Sequence, residues 1–306
     1  MPCNPNTMPT EMMKTMTSSN RRRQRPYRRQ RNPPRIQVGD NDRQIVRYVH
    51  DYRMLSQKQL ERLLDRSRST VQRLLRRLYD HRFLDRVFVP VNTLGSSPSM
   101  YILDREGVML LRQMGIEVSA APGTRDLSGL FLEHTTALND VRIAVEQGSA
   151  QQGWKVECWL SERDLKAGYD RVVVRGHKQR VALVPDGYFR LHIPDRGTSH
   201  FFLELDRGTM TLDRFQDKIR AYVSYYKSGQ YTQRYHSRGF RMMTVVAGVG
   251  RGRLNNLVQS AAQIQGIGRR FWFIHLDDVE PQTVLTAPVW QVAGDITVQP
   301  LFEPAT

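Results

Sequence analysis

"LVPDGYFRLHIPDRGTSHFFLELDRGT", residues 183–209, decides how the larger, C-terminal part of this chain is read. One apolar run ends in Pro185-Asp186, and a second carries Glu204 and Asp206. Side chains alternate along a strand, so Phe202, Glu204 and Asp206 share one face while Leu203 and Leu205 share the other. With "IPDRG" as the connecting loop the two runs form a hairpin, which sets Asp186 beside Glu204. A buried carboxylate is costly unless it is paired, hydrogen-bonded or bound to a metal. Two readings follow. In one, Asp186, Glu204 and Asp206 hold a hard divalent cation, Mg²⁺ or Mn²⁺, which takes oxygen ligands and can activate water against a phosphodiester. In the other they are caps and ion-pair partners. Pro185-Asp186-Gly187 is then a turn with Gly187 at positive φ, Glu204 pairs with Arg190 or Arg207, and Lys218 snorkels to water.

The flanking segments place this hairpin. Upstream, "LSGLFLEHTTALNDVRIAVEQGSAQQG" reads as a long helix capped by Ser128, with a stripe of Leu130, His134, Leu138, Val141 and Val145. On that stripe His134 reads as a satisfied core histidine. Strands follow at "WKVECWL", "QRVALVPDGYFRLHI" and "HFFLELD", then a helix at "TLDRFQDKIRAYVSYYKSG", a strand at "RMMTVVAGV", a helix at "LNNLVQSAAQ" and a strand at "FWFIHL". Helices crossing between strands imply partly parallel pairing, so residues 127–280 read as an α/β domain. Residues 281–306 read as a C-terminal extension. "AGVGRGR" (247–253) lacks the Lys-Ser/Thr of a phosphate loop. It reads as a strand-to-helix turn, with Arg251 and Arg253 near a DNA backbone.

The N-terminal part is different. The net charge is +16. Residues 1–115 hold 23 Lys and Arg against 10 Asp and Glu, while residues 116–306 hold 23 against 20. Such asymmetry points to a polyanion, nucleic acid before an anionic membrane. Residues 1–40 contain "RRRQRPYRRQRNPPR" and few aliphatic residues, and read as a disordered basic arm in which Arg21, Arg22 and Arg23 meet phosphates. From Asp42 the spacing becomes helical. Ile45, Val46, Val49 and Tyr52 mark one helix, and Leu60, Leu63 and Leu64, behind an N-cap at Ser56, mark a second. Val71, Leu74, Leu75 and Leu78 mark a third. "LDRVFVPVN" and "SPSMYILD" then answer each other across "TLGSS" as a β-hairpin, followed by a short helix ending at Gly115. Three helices and a hairpin over residues 41–116 read as a winged helix-turn-helix. Its third helix turns Ser69, Thr70, Gln72, Arg73, Arg76 and Arg77 away from the core, toward base edges and phosphates of double-stranded DNA. Arg82 and Arg86 stand at the base of the wing. Residues 117–126, including "SAAPGTRD", read as a linker.

Pro185-Asp186 and Glu204-Leu205-Asp206, within the order helix, three strands, helix, strand, resemble the PD-(D/E)xK nuclease superfamily, whose domain is restriction-endonuclease-like. The resemblance implies that Asp186 and Glu204 hold a metal. Asp206 stands where that superfamily places the lysine that orients the attacking water. Either Lys218, from the next helix, supplies the missing ammonium, or Asp206 is a third ligand, or the site has decayed. "VPDGYFRL" together with "ELDRGT" and the following "K…Y" helix also resembles the replication-relaxation family of plasmids and mobile elements, over roughly residues 42–280. That resemblance implies an α+β multidomain chain, a winged helix followed by a nuclease-like domain, acting in replication, mobilisation or transcription control of a mobile element. The alternative is a Mg- or Mn-dependent DNA endonuclease, with Asp186, Glu204, Asp206 and Lys218 as its catalytic set. Other replication or transfer proteins, and a second copy of the chain, are further candidate partners.

Several classes are excluded. Cys3 and Cys158 are too few for a disulfide framework or a thiolate zinc site. The remaining histidines show no metal-ligand spacing, and no Ser/His/Asp or Cys/His set stands out. No apolar run has the length of a membrane span, and "MPCNPNTMPTEMMKTMTSSN" lacks a signal peptide's apolar stretch. The expectation is a soluble, cytoplasmic protein, with Met8, Met12, Met13 and Met16 as alternative starts.

Overall fold

The computed structural model describes residues 28–88, 99–118, 128–174, 176 and 179–303. The N-terminal unit comprises α1 (Asp40–Asp51), β1 (Leu55–Ser56), α2 (Gln57–Leu64), α3 (Arg68–Asp80), β2 (Leu84–Phe88), β3 (Ser99–Leu103) and α4 (Arg105–Gln113). Its local causes are those the sequence shows. Ser56 Oγ accepts the Gln59 N–H at 3.2 Å and Gln59 Oε1 accepts the Ser56 N–H at 3.0 Å, a reciprocal cap for α2. Asp65, in the left-handed region at φ 49°, ends α2, and Ser67 caps α3 through the Thr70 N–H. Ile45, Val46, Val49, Leu60, Val71, Leu75, Leu78 and Leu84 meet in one core, beside an antiparallel sheet of order β1-β3-β2.

One expectation fails here. The basic arm was to stay disordered through residue 40, yet Arg29 is seated on the N-terminal unit. Its Nη2 donates to Asp85 Oδ1 at 2.7 Å and Asp104 Oδ2 at 2.8 Å, and its guanidinium lies 4.2 Å from the Tyr79 ring centroid. Ile36 and Val38 pack against the same core. Mutual repulsion disfavours a helix, but it does not stop two acids and an aromatic face from capturing one arginine. Arg21, Arg22 and Arg23 lie outside the described residues, as does most of the linker.

A long helix, α5 (Gly129–Gln151), joins the two halves. Val141, Ala144 and Val145 enter the core of the C-terminal sheet, while Ile143 enters the N-terminal core. Buried Asn139 donates to the carbonyls of Tyr52 at 3.3 Å and Met54 at 2.7 Å, fastening the N-terminal unit to this helix. A helix buried on two sides has no single stripe, and Leu130, placed on the expected stripe, is 66 % exposed.

Beyond α5 lie β4 (Lys155–Ser161), α6 (Glu162–Lys166), β5 (Asp170–Val172), β6 (Val181–Leu183), β7 (Gly187–Ile193), β8 (Gly197–Asp206), α7 (Leu212–Lys227) and α8 (Gln230–Tyr235). β9 (Arg241–Val246), α9 (Arg251–Ala262), β10 (Phe271–His275), β11 (Trp290–Val292) and β12 (Val298–Gln299) complete the chain. Seven strands form a mixed sheet of order β12-β11-β10-β9-β8-β7-β4, so the fold is mixed α+β. β8, β9 and β10 are parallel to one another, as the crossover helices α7 and α9 require. α7 and α9 cover one face, while α5 and the C-terminal segment cover the other.

Two further expectations change. "QRVALVPDGYFRLHI" is two strands: β6 leaves the large sheet to pair with β5, and β7 begins only after Pro185, which has no N–H for a ladder. Residues 281–306 are more than an extension, since β11 and β12 widen the sheet and the fully buried Trp290 donates to the Val284 carbonyl at 2.7 Å. Among the described residues, no helix is long and apolar enough to cross a membrane.

Candidate functional site

The register of β7 on β8 pairs Gly187 with Leu203, so Asp186, one residue before the strand, comes opposite Glu204. The hairpin therefore forms, but the acids do not converge on one point. Asp186 Oδ2 accepts the Leu205 N–H across the strands at 2.8 Å, and its Oδ1 lies 3.4 Å from His134 Nε2 on α5. Glu204 turns toward α7, where it accepts hydrogen bonds from Lys218 Nζ and, at 2.6 Å, from Tyr222 OH. Lys218 and Tyr222 stand one turn apart on α7, so both reach the same carboxylate.

Burial pushes the Glu204 carboxyl up to about 7; Lys218 opposes this, and the nearby Asp186 charge reinforces it. Burial also acts to raise Asp186, but His134, Lys218 and the Leu205 amide hold it below the usual carboxylate value. Desolvation would weaken the Lys218 ammonium, yet the charges of Glu204 and Asp186 keep it above its ordinary range. Asp186, Glu204 and Lys218 are thus one electrostatic group. Asp206 is not a member. Arg253 on α9 donates to it through Nε at 2.9 Å and Nη2 at 2.8 Å, and the Gly208 N–H adds a third bond at 2.9 Å. Gly208 adopts φ +75°, and a Cβ there would approach Val249 Cγ1 to 2.8 Å, so the glycine of "DRGT" is required by its turn.

The expected three-carboxylate metal site does not form in this arrangement. Among the described residues no group of three or more His, Cys, Asp or Glu side chains is placed to hold a metal ion. Asp186 and Glu204 remain a pair of hard oxygen donors of the type Mg²⁺ or Mn²⁺ takes. The alternative partners also differ from expectation. Glu204 pairs with neither Arg190 nor Arg207: Arg190 lies against Cys158 and Glu157, and Arg207 binds Glu133. Lys218 turns to Glu204 rather than out to water. Gly187 starts a strand and is absent from the positive-φ residues. Arg251 is paired with Asp278 at 2.6 and 2.8 Å and Arg253 with Asp206, so an acid within the fold engages each of these arginines.

Tyr222 is the site residue that reading the sequence missed, and His134, read as a satisfied core histidine, is half-buried beside Asp186. The i, i+4 spacing of Lys218 and Tyr222 was available as a signal. For His134 there was none, because only the packing of α5 on the hairpin brings it to Asp186.

The other candidate surface is α3. Ser69, Gln72 and Arg73 are exposed, together with Arg68 at the helix start, and neither arginine has an acid partner among the described residues. Thr70 is half-buried and accepts from Ser67 Oγ at 3.0 Å. Two of the arginines assigned to DNA are committed to acids of the protein. Arg76 donates to Asp80 Oδ2 at 2.8 Å and to the Arg28 carbonyl at 2.8 Å. Arg77 Nη2 chelates both oxygens of the fully buried Asp42 at 2.6 Å. Arg86 lies over the Tyr79 ring at 4.2 Å and near the Tyr101 ring at 5.5 Å. Arg82 is exposed in the turn after α3, at φ +60°.

Among known proteins, no curated sequence matches this chain. The solved structure of restriction endonuclease FokI is similar at 12% identity with a TM-score of 0.27, over 78% of this chain and 42% of that one. The present chain therefore spans less than half the length of that relative. The Replication-relaxation profile matches residues 46–239, a stretch that takes in the exposed face of α3, the packing of α5 and the Asp186–Glu204–Lys218 group alike. By that match across both halves, the chain belongs to the Replication-relaxation family.

Proposed function

We propose that this protein binds double-stranded DNA through its N-terminal unit, a winged helix-turn-helix in which α3 is the recognition helix. The role is in replication, mobilisation or transcription control of a plasmid or mobile element. The observation that carries this reading is the outer face of α3. Arg68, Ser69, Gln72 and Arg73 are exposed there, while neighbouring Arg76 and Arg77 are taken up by acids of the protein itself. Arginines without an internal partner can form bidentate bonds to phosphate or to guanine edges. In this reading the C-terminal domain is a PD-(D/E)xK-like scaffold whose acids are neutralised within the fold.

The test is duplex binding by fluorescence anisotropy across a salt series. Wild-type affinity should fall steeply with salt, and Arg73→Ala should lower the slope of log K against log salt by about 0.9 if the contact is to phosphate. Binding that ignores both salt and Arg73 would sink the proposal.

A second reading is a DNA endonuclease, favoured by one observation: Lys218 is held against Glu204 and within the field of Asp186. Asp186 and Glu204 would hold the ion, and Lys218 would keep the group charge-balanced beside them. A bound Mg²⁺ or Mn²⁺ would offset charge building on a phosphodiester. Supercoiled plasmid with Mn²⁺ decides it. Nicking by wild type that is absent from both Asp186→Ala and Glu204→Ala supports the nuclease. Intact plasmid, shifted equally by all three proteins, leaves the scaffold.

A further inference from the structure

A small cavity opens at the seam between the N-terminal unit and α5. Its volume is about 60 Å³, room for roughly four waters or for one tetrahedral anion. The turn after α1 contributes Arg53, α5 contributes Phe131 and His134, and the carboxylates of Asp51, Glu162 and Asp186 also line it.

Most charges around this cavity have a partner within the fold. Asp51 meets Arg47 at 3.6 Å, Glu162 meets Lys166 at 2.6 Å, Arg142 meets Glu146 at 2.7 Å, and Asp186 meets His134 at 3.4 Å. Arg53 has no acid partner among the described residues; its guanidinium lies 5.3 Å from the Phe131 ring centroid. Its backbone adds a second observation. Arg53 sits at φ +66°, with its N–H closing a turn on the His50 carbonyl at 3.2 Å. An L-residue is strained in that region in a way glycine is not. The position is exposed, so burial of the side chain does not offset that strain.

We propose that this cavity is a phosphoryl-anion seat, in which the Arg53 guanidinium grips the non-bridging oxygens of a DNA backbone phosphodiester. Arginine suits the task through its planar fork of donors, which matches phosphate oxygens two at a time. The Asp186 carboxylate is held by His134 and the Leu205 amide, which reduces its repulsion for an anion. The seat belongs to both halves of the molecule, so one DNA contacts the N-terminal unit and the edge of the Asp186 group together. This inference rests on the DNA-binding reading above.

The experiment uses the full chain as wild type, Arg53→Gly and Arg53→Lys. Glycine suits the left-handed backbone, so Arg53→Gly should melt at or above the wild-type temperature, which separates lost binding from lost folding. Duplex anisotropy across salt should show Arg53→Gly weakened about five- to tenfold, with the log–log slope lowered by about 0.9. Arg53→Lys should recover part of the affinity and restore the slope. Inorganic phosphate is titrated in parallel by calorimetry. A duplex effect with at most weak phosphate binding supports the phosphodiester seat. Arg53-dependent phosphate binding without a duplex effect overturns DNA as the source of the anion. Duplex affinity and slope unchanged in Arg53→Gly overturns the seat while leaving DNA binding by α3 intact. A wild type that binds no duplex defeats the DNA-binding reading itself and, with it, the proposed seat.

Discussion

The outer face of α3 and the α7–α9 face of β8 both carry charged residues and treat them in opposite ways. On α3, Arg73 and Arg77 lie one turn apart, yet Arg73 is exposed without an acid partner among the described residues while Arg77 is locked onto buried Asp42. On β8, Glu204 and Asp206 share a face, and a different crossover helix supplies a cation to each: Lys218 from α7 and Arg253 from α9. A charge whose partner lies inside the fold serves stability, and one without an internal partner is available to a ligand. Residue type alone does not tell these apart.

Substitutions can break or sharpen that contrast. The largest effect should come from Arg253→Ala, which strands the carboxylate of Asp206, only 5% exposed. Breaking a buried pair on one side costs about 3–5 kcal/mol, so denaturant midpoints should fall sharply; a loss below about 1 kcal/mol would mean that Asp206 finds water instead.

Glu204 comes next, through pH. Its carboxyl is raised by burial from 4.5 to about 7, so the folded state keeps a proton that the unfolded chain releases. Its contribution is therefore present at low pH and is lost as pH rises through about 7. Asp186 acts in the opposite sense, being held low, with its contribution lost only as pH falls below the ordinary carboxylate range. Glutamine cannot titrate, so Glu204→Gln should gain on wild type by about 1–3 kcal/mol between pH 5 and pH 8. Chemical denaturation at both pH values checks this, and a difference that stays flat would show that Lys218 keeps Glu204 ionised throughout.

Arg77→Ala should cost less, about 1–3 kcal/mol, because Asp42 also accepts the Gly39 N–H at 2.9 Å and the Arg77 side chain is 42% exposed. Its melting temperature should drop while duplex affinity at a permissive temperature is kept. Arg73→Ala should show the reverse: stability within about 0.5 kcal/mol of wild type and weakened DNA binding. If both variants lost binding equally, the division of α3 into inner and outer arginines would be wrong.

Much of this was legible in one dimension. The stripes Ile45–Val46–Val49 and Val71–Leu74–Leu75–Leu78, the cap at Ser56 and the hairpin that sets Asp186 opposite Glu204 all follow from local spacing. The element order from α5 to β10 was also legible, apart from the separate β5–β6 pair and the short helices α6 and α8. α5 misled because its two sides face different cores, which dilutes any single period. The C-terminal segment misled because β11 and β12 are too short to announce themselves.

By itself the sequence determined where helices and strands run, which faces are apolar, and that positive charge gathers at the N-terminal end. These are properties of neighbours within a turn or two, and hydrophobic periodicity records them directly. Only the tertiary structure decided which charges meet. Arg77 finds Asp42 across 35 residues of chain and Arg253 finds Asp206 across 47, while His134 reaches Asp186 because α5 lies on the hairpin. The cost of burying a charge dictates that each of these acids has a partner, but topology names the partner, and topology is set by the packing of whole elements.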